Sequence, residues 1–268
     1  MSSELAQSRA AIVIAHPGHE LRVYHWLRLN RPTCFVLTDG SGRSGTSRLA
    51  STTRILRDTG SEAGGIYGRL TDAEIYSAMM NGDLDLFIDF AEEIAEEFIN
   101  REIEIVAGDA LEGYNPAHDV CRFIINAAVA RANRQMVQPL ENLEVLLTGE
   151  RHKHPERVEQ ERLLTLDSES CAQKIEAVRS YIEIGADVDD ILARQGIQAI
   201  QIERLRHVCG CKSCEAFESV PFYEIHGEKQ VRAGHYERVL RFDEHVRPIA
   251  EALTEWSSRQ PSLSRMRA

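Results

Sequence analysis

Long apolar runs are what this sequence most plainly lacks. No stretch approaches the ~18 consecutive apolar residues that a membrane span requires, so no membrane partner is expected. No basic segment followed by an apolar run stands near the N-terminus, so no signal peptide is read there and the expected location is cytoplasmic. Positive charge is also short: 31 Lys and Arg stand against 42 Asp and Glu, a formal net charge of −11. The phosphate backbone of a nucleic acid is therefore not an expected partner. Arg259, Arg265 and Arg267 follow Ser257, and residues 258–268 read as a flexible tail. There are only six cysteines. Cys34, Cys121 and Cys171 are isolated along the chain and read as reduced thiols, not as a disulfide framework. Neither an internal repeat nor a low-complexity linker is present.

What is there is a chain of 268 residues, 43% hydrophobic and 27% charged, enough to build a core without covalent staples. Apolar runs of strand length alternate with amphipathic helical patterns through the first half. Strands are expected at Ala10–Ala15, Thr33–Thr38, around Ile66, at Ile103–Ala107 and at Leu143–Leu147. Helices are expected at Leu21–Asn30, from about Leu49 to Arg57, from Asp83 to about Phe98, and from Asn115-Pro116 to Ala132. The remainder reads as helical over Ser168–Val208, irregular or strand-like over Phe222–Leu240, and helical again over Asp243–Trp256. The fold class implied is α/β: a Rossmann-like, mostly parallel sheet with helices on both faces and a helical C-terminal half packed on the same sheet. Residues 1–257 read as a single domain.

The most informative stretch is Ala10-Ala11-Ile12-Val13-Ile14-Ala15-His16-Pro17-Gly18-His19-Glu20. A buried-strand pattern ends abruptly in two histidines three apart, with Pro17 and Gly18 forming a stiff break between them. Polar residues just beyond the carboxyl end of such a strand occupy the ligand crevice of an open α/β sheet. Two imidazoles held there suit one metal ion. Asp39 and Asp109 follow other strands of the same expected sheet and emerge on the same edge. His118, on the first turn of the helix capped by Asn115, is the candidate third ligand.

These residues resemble the LmbE-like deacetylases, the superfamily of the N-acetylglucosaminyl-phosphatidylinositol de-N-acetylases. That family carries A-H-P-D-D-E after its first strand and H-P-D-H further along. Here the corresponding segments are Ala15-His16-Pro17-Gly18-His19-Glu20 and Asn115-Pro116-Ala117-His118. The resemblance implies a zinc-dependent hydrolase that removes an N-acyl group from an amino sugar or related small amide, with His16, His19 and His118 as zinc ligands. It also marks departures. Gly18 stands where the family has its general base, Asn115 where it has an assisting histidine, Ala117 where an aspartate tunes that histidine, and His19 where a carboxylate ligates. Three neutral imidazoles leave zinc its full charge, as in carbonic anhydrase, where bound water has a pKa near ~7. That chemistry lessens the need for a strong base.

The remaining roles are open at this level. Asp39 and Glu20, with Glu112 and Asp119 as further candidates, are expected to accept a proton. Asn115 or Tyr114 is expected to donate to a developing oxyanion. Arg43, Arg48, Glu112 and Tyr114 are candidate substrate-binding residues, for a small-molecule partner and with a homo-oligomer admitted. Gly40-Ser41-Gly42-Arg43-Ser44-Gly45 matches G-x-G-x-x-G but follows the second strand, so a nicotinamide cofactor is a lesser alternative to an anion cradle. A same-fold protein without hydrolase activity is a further alternative. Cys209, Cys211 and Cys214, with His207 or His226, are a candidate second metal site lacking a paired cluster. His152 and His154 lie in a charged segment and read as solvated.

Overall fold

The computed structural model describes residues 9–42, 44–147, 161–184, 197–208, 217 and 219–259. Ala10–Ile14 forms β1, and its five residues are all buried. A strand with no polar face has to lie inside a sheet covered on both sides, and β1 does. It pairs in parallel with β2 (Thr33–Thr38) on one side and with β4 (Ile105–Asp109) on the other. Beyond β2 lies β3 (Glu62–Leu70), and beyond β4 lies β5 (Glu141–Val145), both parallel. Two antiparallel strands complete the sheet: β7 (Ile202–His207) pairs with β5, and β6 (Glu161–Thr165) pairs with β7. The order is β3-β2-β1-β4-β5-β7-β6.

The chain moves outward from β1 through β2 to β3, then returns across β1 to β4. Strand order therefore reverses at β1, and the crevice beyond the carboxyl ends of β1 and β4 is the topological switch point where ligands bind in open α/β sheets. Close strand approach at this point is fixed by sequence. A Cβ on Gly108 would lie 2.3 Å from the Val13 carbonyl oxygen, so no larger residue fits beside β1.

Helices cover both faces. On one side lie α3 (Asp72–Asn81), α4 (Leu84–Asn100), α5 (Pro116–Ala132), α8 (Phe222–Arg232) and α9 (Arg247–Ser258), sharing a core with Val13, Phe35 and Val106. On the other lie α1 (Tyr24–Asn30), α2 (Leu49–Thr59) and α6 (Ser168–Ser180), packed around Ile12, Val36 and Ala107. A single turn, α7 (Gln198–Gln201), leads into β7. Alternate residues of each central strand thus feed the two cores, as the period of two requires. Side-chain caps start several helices. Asp83 accepts the Leu86 amide, Asp167 accepts the Ser170 amide, and Thr71 with Glu74 forms a capping box at α3. No helix among the described residues is long and apolar enough to cross a membrane.

Three expectations change. The strand around Ile66 is nine residues long and is followed by α3, an element the sequence reading passed over. Ile202–His207 is a strand, so the C-terminal half extends the sheet as well as packing on it. Phe222–Arg232 is helical, neither irregular nor extended. Of the expected tail, Ser258 closes α9, and residues 260–268 lie outside the described residues.

Candidate metal centre

At the switch point the chain turns sharply after Ala15. Gly18 adopts φ +107°, a conformation that L side chains rarely take, and a 3-10 turn, His19–Val23, follows. Glu20 fastens this turn. It is fully buried, its Oε2 accepts the Gly18 amide at 2.7 Å, and its Oε1 accepts the Thr52 hydroxyl at 2.8 Å. Burial pushes its carboxyl pKa up. Both oxygens of this expected catalytic group are thus engaged in holding the loop that carries the histidines.

The three histidine rings come together. Ring centroids lie 5.4 Å apart for His16 and His19, 5.2 Å for His16 and His118, and 4.5 Å for His19 and His118. Each pair meets edge to face. Among the described residues no group of three or more His, Cys, Asp or Glu side chains is arranged to hold a metal ion as it stands.

Two of the rings are tethered by buried carboxylates. His16 Nδ1 lies 2.9 Å from Asp72 Oδ1 and 2.8 Å from the Thr38 hydroxyl. His19 Nδ1 lies 2.9 Å from Asp109 Oδ1, and Asp109 Oδ2 accepts the Ala15 amide at 2.8 Å. Asp72 also accepts the Gly42 amide at 2.7 Å. Burial alone would raise both aspartates, but the donors around them outweigh it: His16, Thr38 and Gly42 hold Asp72 below the usual carboxylate range, and His19 and Ala15 do the same for Asp109. An ionised carboxylate can only accept, so each tethered ring carries its proton on Nδ1 and keeps the Nε2 lone pair. Burial lowers the pKa of His16 and, more strongly, of His118, so both are neutral near pH 7.

His118 differs from the other two. It sits on the first turn of α5, and its Nδ1 is buried with no hydrogen-bond partner. A buried ring nitrogen left unmet is costly. Two imidazoles oriented through Nδ1 by carboxylates and a third with an orphaned nitrogen are a donor set that fits zinc.

The neighbouring polar groups take defined places. Asn115 caps α5: its Oδ1 accepts the Ala117 amide at 2.9 Å and the Tyr76 hydroxyl at 3.0 Å. With the oxygen held twice, the carboxamide orientation is fixed and Nδ2 is the group's donor. Asp39 accepts the Ser41 amide at 2.9 Å through Oδ1, forming an Asx turn. Asp119 is fully buried and its Oδ1 accepts the Glu112 and Gly113 amides. Burial pushes its carboxyl up to about 8, and its Oδ2 and the Tyr223 hydroxyl are both buried without a partner. Glu112 accepts the Leu147 amide at 2.9 Å. Arg48 donates from Nε to the Gly40 carbonyl. Tyr114 is half exposed and stacks on Phe222. Arg43, His152, His154, Cys209, Cys211 and Cys214 lie outside the described residues. In the Gly40–Gly45 loop, the Gly42 and Gly45 amides are taken by Asp72 and the Ser41 carbonyl.

Behind the site, Arg122 is 1% exposed. It donates to the Asp109 carbonyl, to Asn142 Oδ1 at 3.0 Å and to the Leu143 carbonyl at 3.1 Å, tying β4 to β5. Sequence reasoning missed Asp72, Tyr76 and Arg122. The capping box around Asp72 was the one local signal available for it.

No family model and no curated protein sequence matches this chain. Several solved structures are similar to it, two of them as follows. One is the zinc-inhibited form of teicoplanin deacetylase Orf2, with a TM-score of 0.50 and 12% identity, covering 75% of this chain and 98% of that one. The other is a deacetylase–bog complex from the biosynthesis pathway of teicoplanin, with a TM-score of 0.52 and 13% identity over the same shares. The fold is thus a doubly wound α/β sheet, shared with these two solved structures.

Proposed function

We propose that this protein is a metal-dependent amidohydrolase that removes an N-acetyl group from an amino sugar or related small amide, with His16, His19 and His118 holding one zinc ion. The observation that carries the reading is the meeting of three imidazoles, no centroid pair more than 5.4 Å apart, at the switch point of the sheet. When bound, zinc supplies Lewis-acid polarisation of the amide carbonyl and lowers the pKa of water.

The chain's own groups do the rest. Asp72 and Asp109 keep the Nε2 lone pairs of His16 and His19 available and fix the ring orientations. Asn115 Nδ2, aimed by Tyr76, donates to the amide oxygen as charge develops there. Asp39 accepts the proton released from water, a role worth ~10²–10⁴ in rate. The buried free thiols of Cys34, Cys121 and Cys171 support the reading of a reducing, cytoplasmic location.

The test is metal content together with acetate release from N-acetylated amino sugars. Zinc is the metal to load first, because one protein of like fold has a zinc-inhibited form; loading therefore starts below one equivalent. About one bound zinc and chelator-sensitive acetate release are expected. A protein that binds no metal in the wild type, or releases no acetate at any loading, refutes the hydrolase. A second reading, a same-fold binding protein without hydrolysis, is favoured by Gly18, Asn115 and Ala117. Bound zinc without turnover of any acylated amine selects it.

A further inference from the structure

Gly18 stands between His16 and His19, and glycine has the widest backbone freedom of any residue. What holds this turn in one conformation lies outside it. Glu20 Oε2 accepts the Gly18 amide at 2.7 Å, and Glu20 Oε1 accepts the Thr52 hydroxyl at 2.8 Å. Thr52 Oγ1 lies 2.9 Å from the Tyr181 hydroxyl. A hydroxyl has one proton, and that of Thr52 goes to Glu20, so Tyr181 is the donor to Thr52. Burial raises the Tyr181 pKa, which keeps this donor protonated. The other acceptor near it, the Arg48 carbonyl, is more distant at 3.4 Å.

Tyr181 is itself firmly placed. It is fully buried and directly follows α6. The helix α2, which carries Thr52, is joined to the same segment twice more. Arg54 donates to the Ser180 carbonyl, and the Ser51 hydroxyl donates to Glu183 at 2.8 Å. Tyr181 also stands against the turn directly: a Cβ on Gly18 would lie 3.6 Å from its hydroxyl oxygen. A donor chain thus runs from the end of α6, through α2, to the amide between the two histidines.

We propose that Tyr181 is a positioning residue for the histidine loop: its hydroxyl, acting through Thr52 and Glu20, holds the Gly18 turn so that the ring of His19 stays on Asp109 and beside those of His16 and His118. The proposal rests on the metal reading only for its effect on zinc. The histidines do not touch Tyr181, so a loss of ring placement on its alteration travels through the chain of donors.

Two quantities are measured on the full-length protein and on Tyr181→Phe, Thr52→Ser, Thr52→Val and the double variant Tyr181→Phe, Thr52→Val. The first is zinc affinity, by competition with a chromogenic chelator. The second is water exchange of the His19 Nδ1 proton in the metal-free protein, by nitrogen-15 NMR. Urea unfolding is read beside them. Tyr181→Phe is expected to weaken zinc binding about three- to tenfold, less than the roughly 10- to 100-fold that follows loss of a direct partner of a ligand. Exchange of the His19 proton should quicken about threefold or more. Thr52→Ser keeps both quantities within about twofold, Thr52→Val changes them further, and the double variant matches Thr52→Val because Tyr181 acts through that hydroxyl. Tyr181→Phe with unchanged proton exchange overturns the proposal, and a loss of unfolding stability alone would mark the residue as merely structural. Additive losses in the double variant overturn the route through Thr52. A wild type that binds no zinc refutes the metal reading, and proton exchange then decides the positioning role by itself.

Discussion

The Asp109 carboxylate lies 2.9 Å from Nδ1 of His19, across 90 residues of sequence. The same carboxylate accepts the amide of Ala15, the last residue before the histidine loop. One buried group at the end of β4 therefore fixes both the exit of β1 and the orientation of a candidate ligand.

Asp109→Asn keeps the shape and an acceptor for Ala15 but removes the charge that favours Nδ1–H and a basic Nε2. Zinc affinity, read by competition with a chromogenic chelator, is expected to fall about 10- to 100-fold, the usual consequence of altering the group behind a metal-bound histidine. Unchanged affinity would show that His19 does not ligate through Nε2.

Gly18 occupies the position where the resembled family has its general base. Its φ of +107° makes any side chain strained there, although space exists: an added Cβ would meet Ile184 Cδ1 at 3.4 Å and the Tyr181 hydroxyl at 3.6 Å, both ordinary contacts. Gly18→Ala is expected to lower stability by about 1–3 kcal/mol from backbone strain alone, as read by urea unfolding. Gly18→Asp carries the same backbone cost, so reintroducing the family's carboxylate is not free. Equal stability of Gly18→Ala and wild type would mean the turn relaxes, and the glycine would then have no conformational reason to be there.

How much of this was legible in the sequence follows from what each element had to signal. β1 declared itself because five apolar residues in a row have nowhere to go but the middle of a sheet. The start of α5 did so because Asn115-Pro116 is a cap with a local chemistry, and with it came His118. β7 did not, because its inward positions include Glu203 and Arg206, which are buried against Lys174 and Glu144. Charges paired inside the fold erase the alternation that identifies a strand. The helix α8 was hidden by aromatic and β-branched residues and by Gly227, whose missing side chain leaves room for Val239. Asp72 had a readable cap around it, but its reach to His16 depends on how β3 pairs beside β2 and delivers the chain to α3, which no local pattern carries.

Glu203 illustrates what such buried charges hold. It accepts the amides of His25 and Trp26 at 2.8 and 2.9 Å and the Lys174 ammonium at 2.8 Å. Lys174→Met removes the one cation in this set and leaves a buried carboxylate. A loss of about 3–5 kcal/mol is expected, measured by denaturant unfolding. The double variant Lys174→Met, Glu203→Gln should recover part of it. If the single variant costs under 1 kcal/mol, the buried ion pair does not join β7 to α6 as described.

Among the described residues, Tyr76 reaches the site through Asn115, at 3.0 Å from its Oδ1. It is a positioning residue, and its hydroxyl decides which way the carboxamide faces. Tyr76→Phe removes that donor and leaves the Ala117 amide as the sole group fixing Oδ1. The Nδ2 donor is then free to wander from the amide oxygen it serves. An interaction made chiefly as charge develops is lost from kcat, not from KM. The expected result is a fall in kcat of about three- to thirtyfold, within what one such donor supplies, with KM within about twofold. Asn115→Ala should reduce kcat further, and Tyr76→Phe should then have no added effect in the double variant, because the two act through one atom. Additive losses would place Tyr76 in a separate role, and an unchanged kcat in both single variants would remove Asn115 from the proposed chemistry.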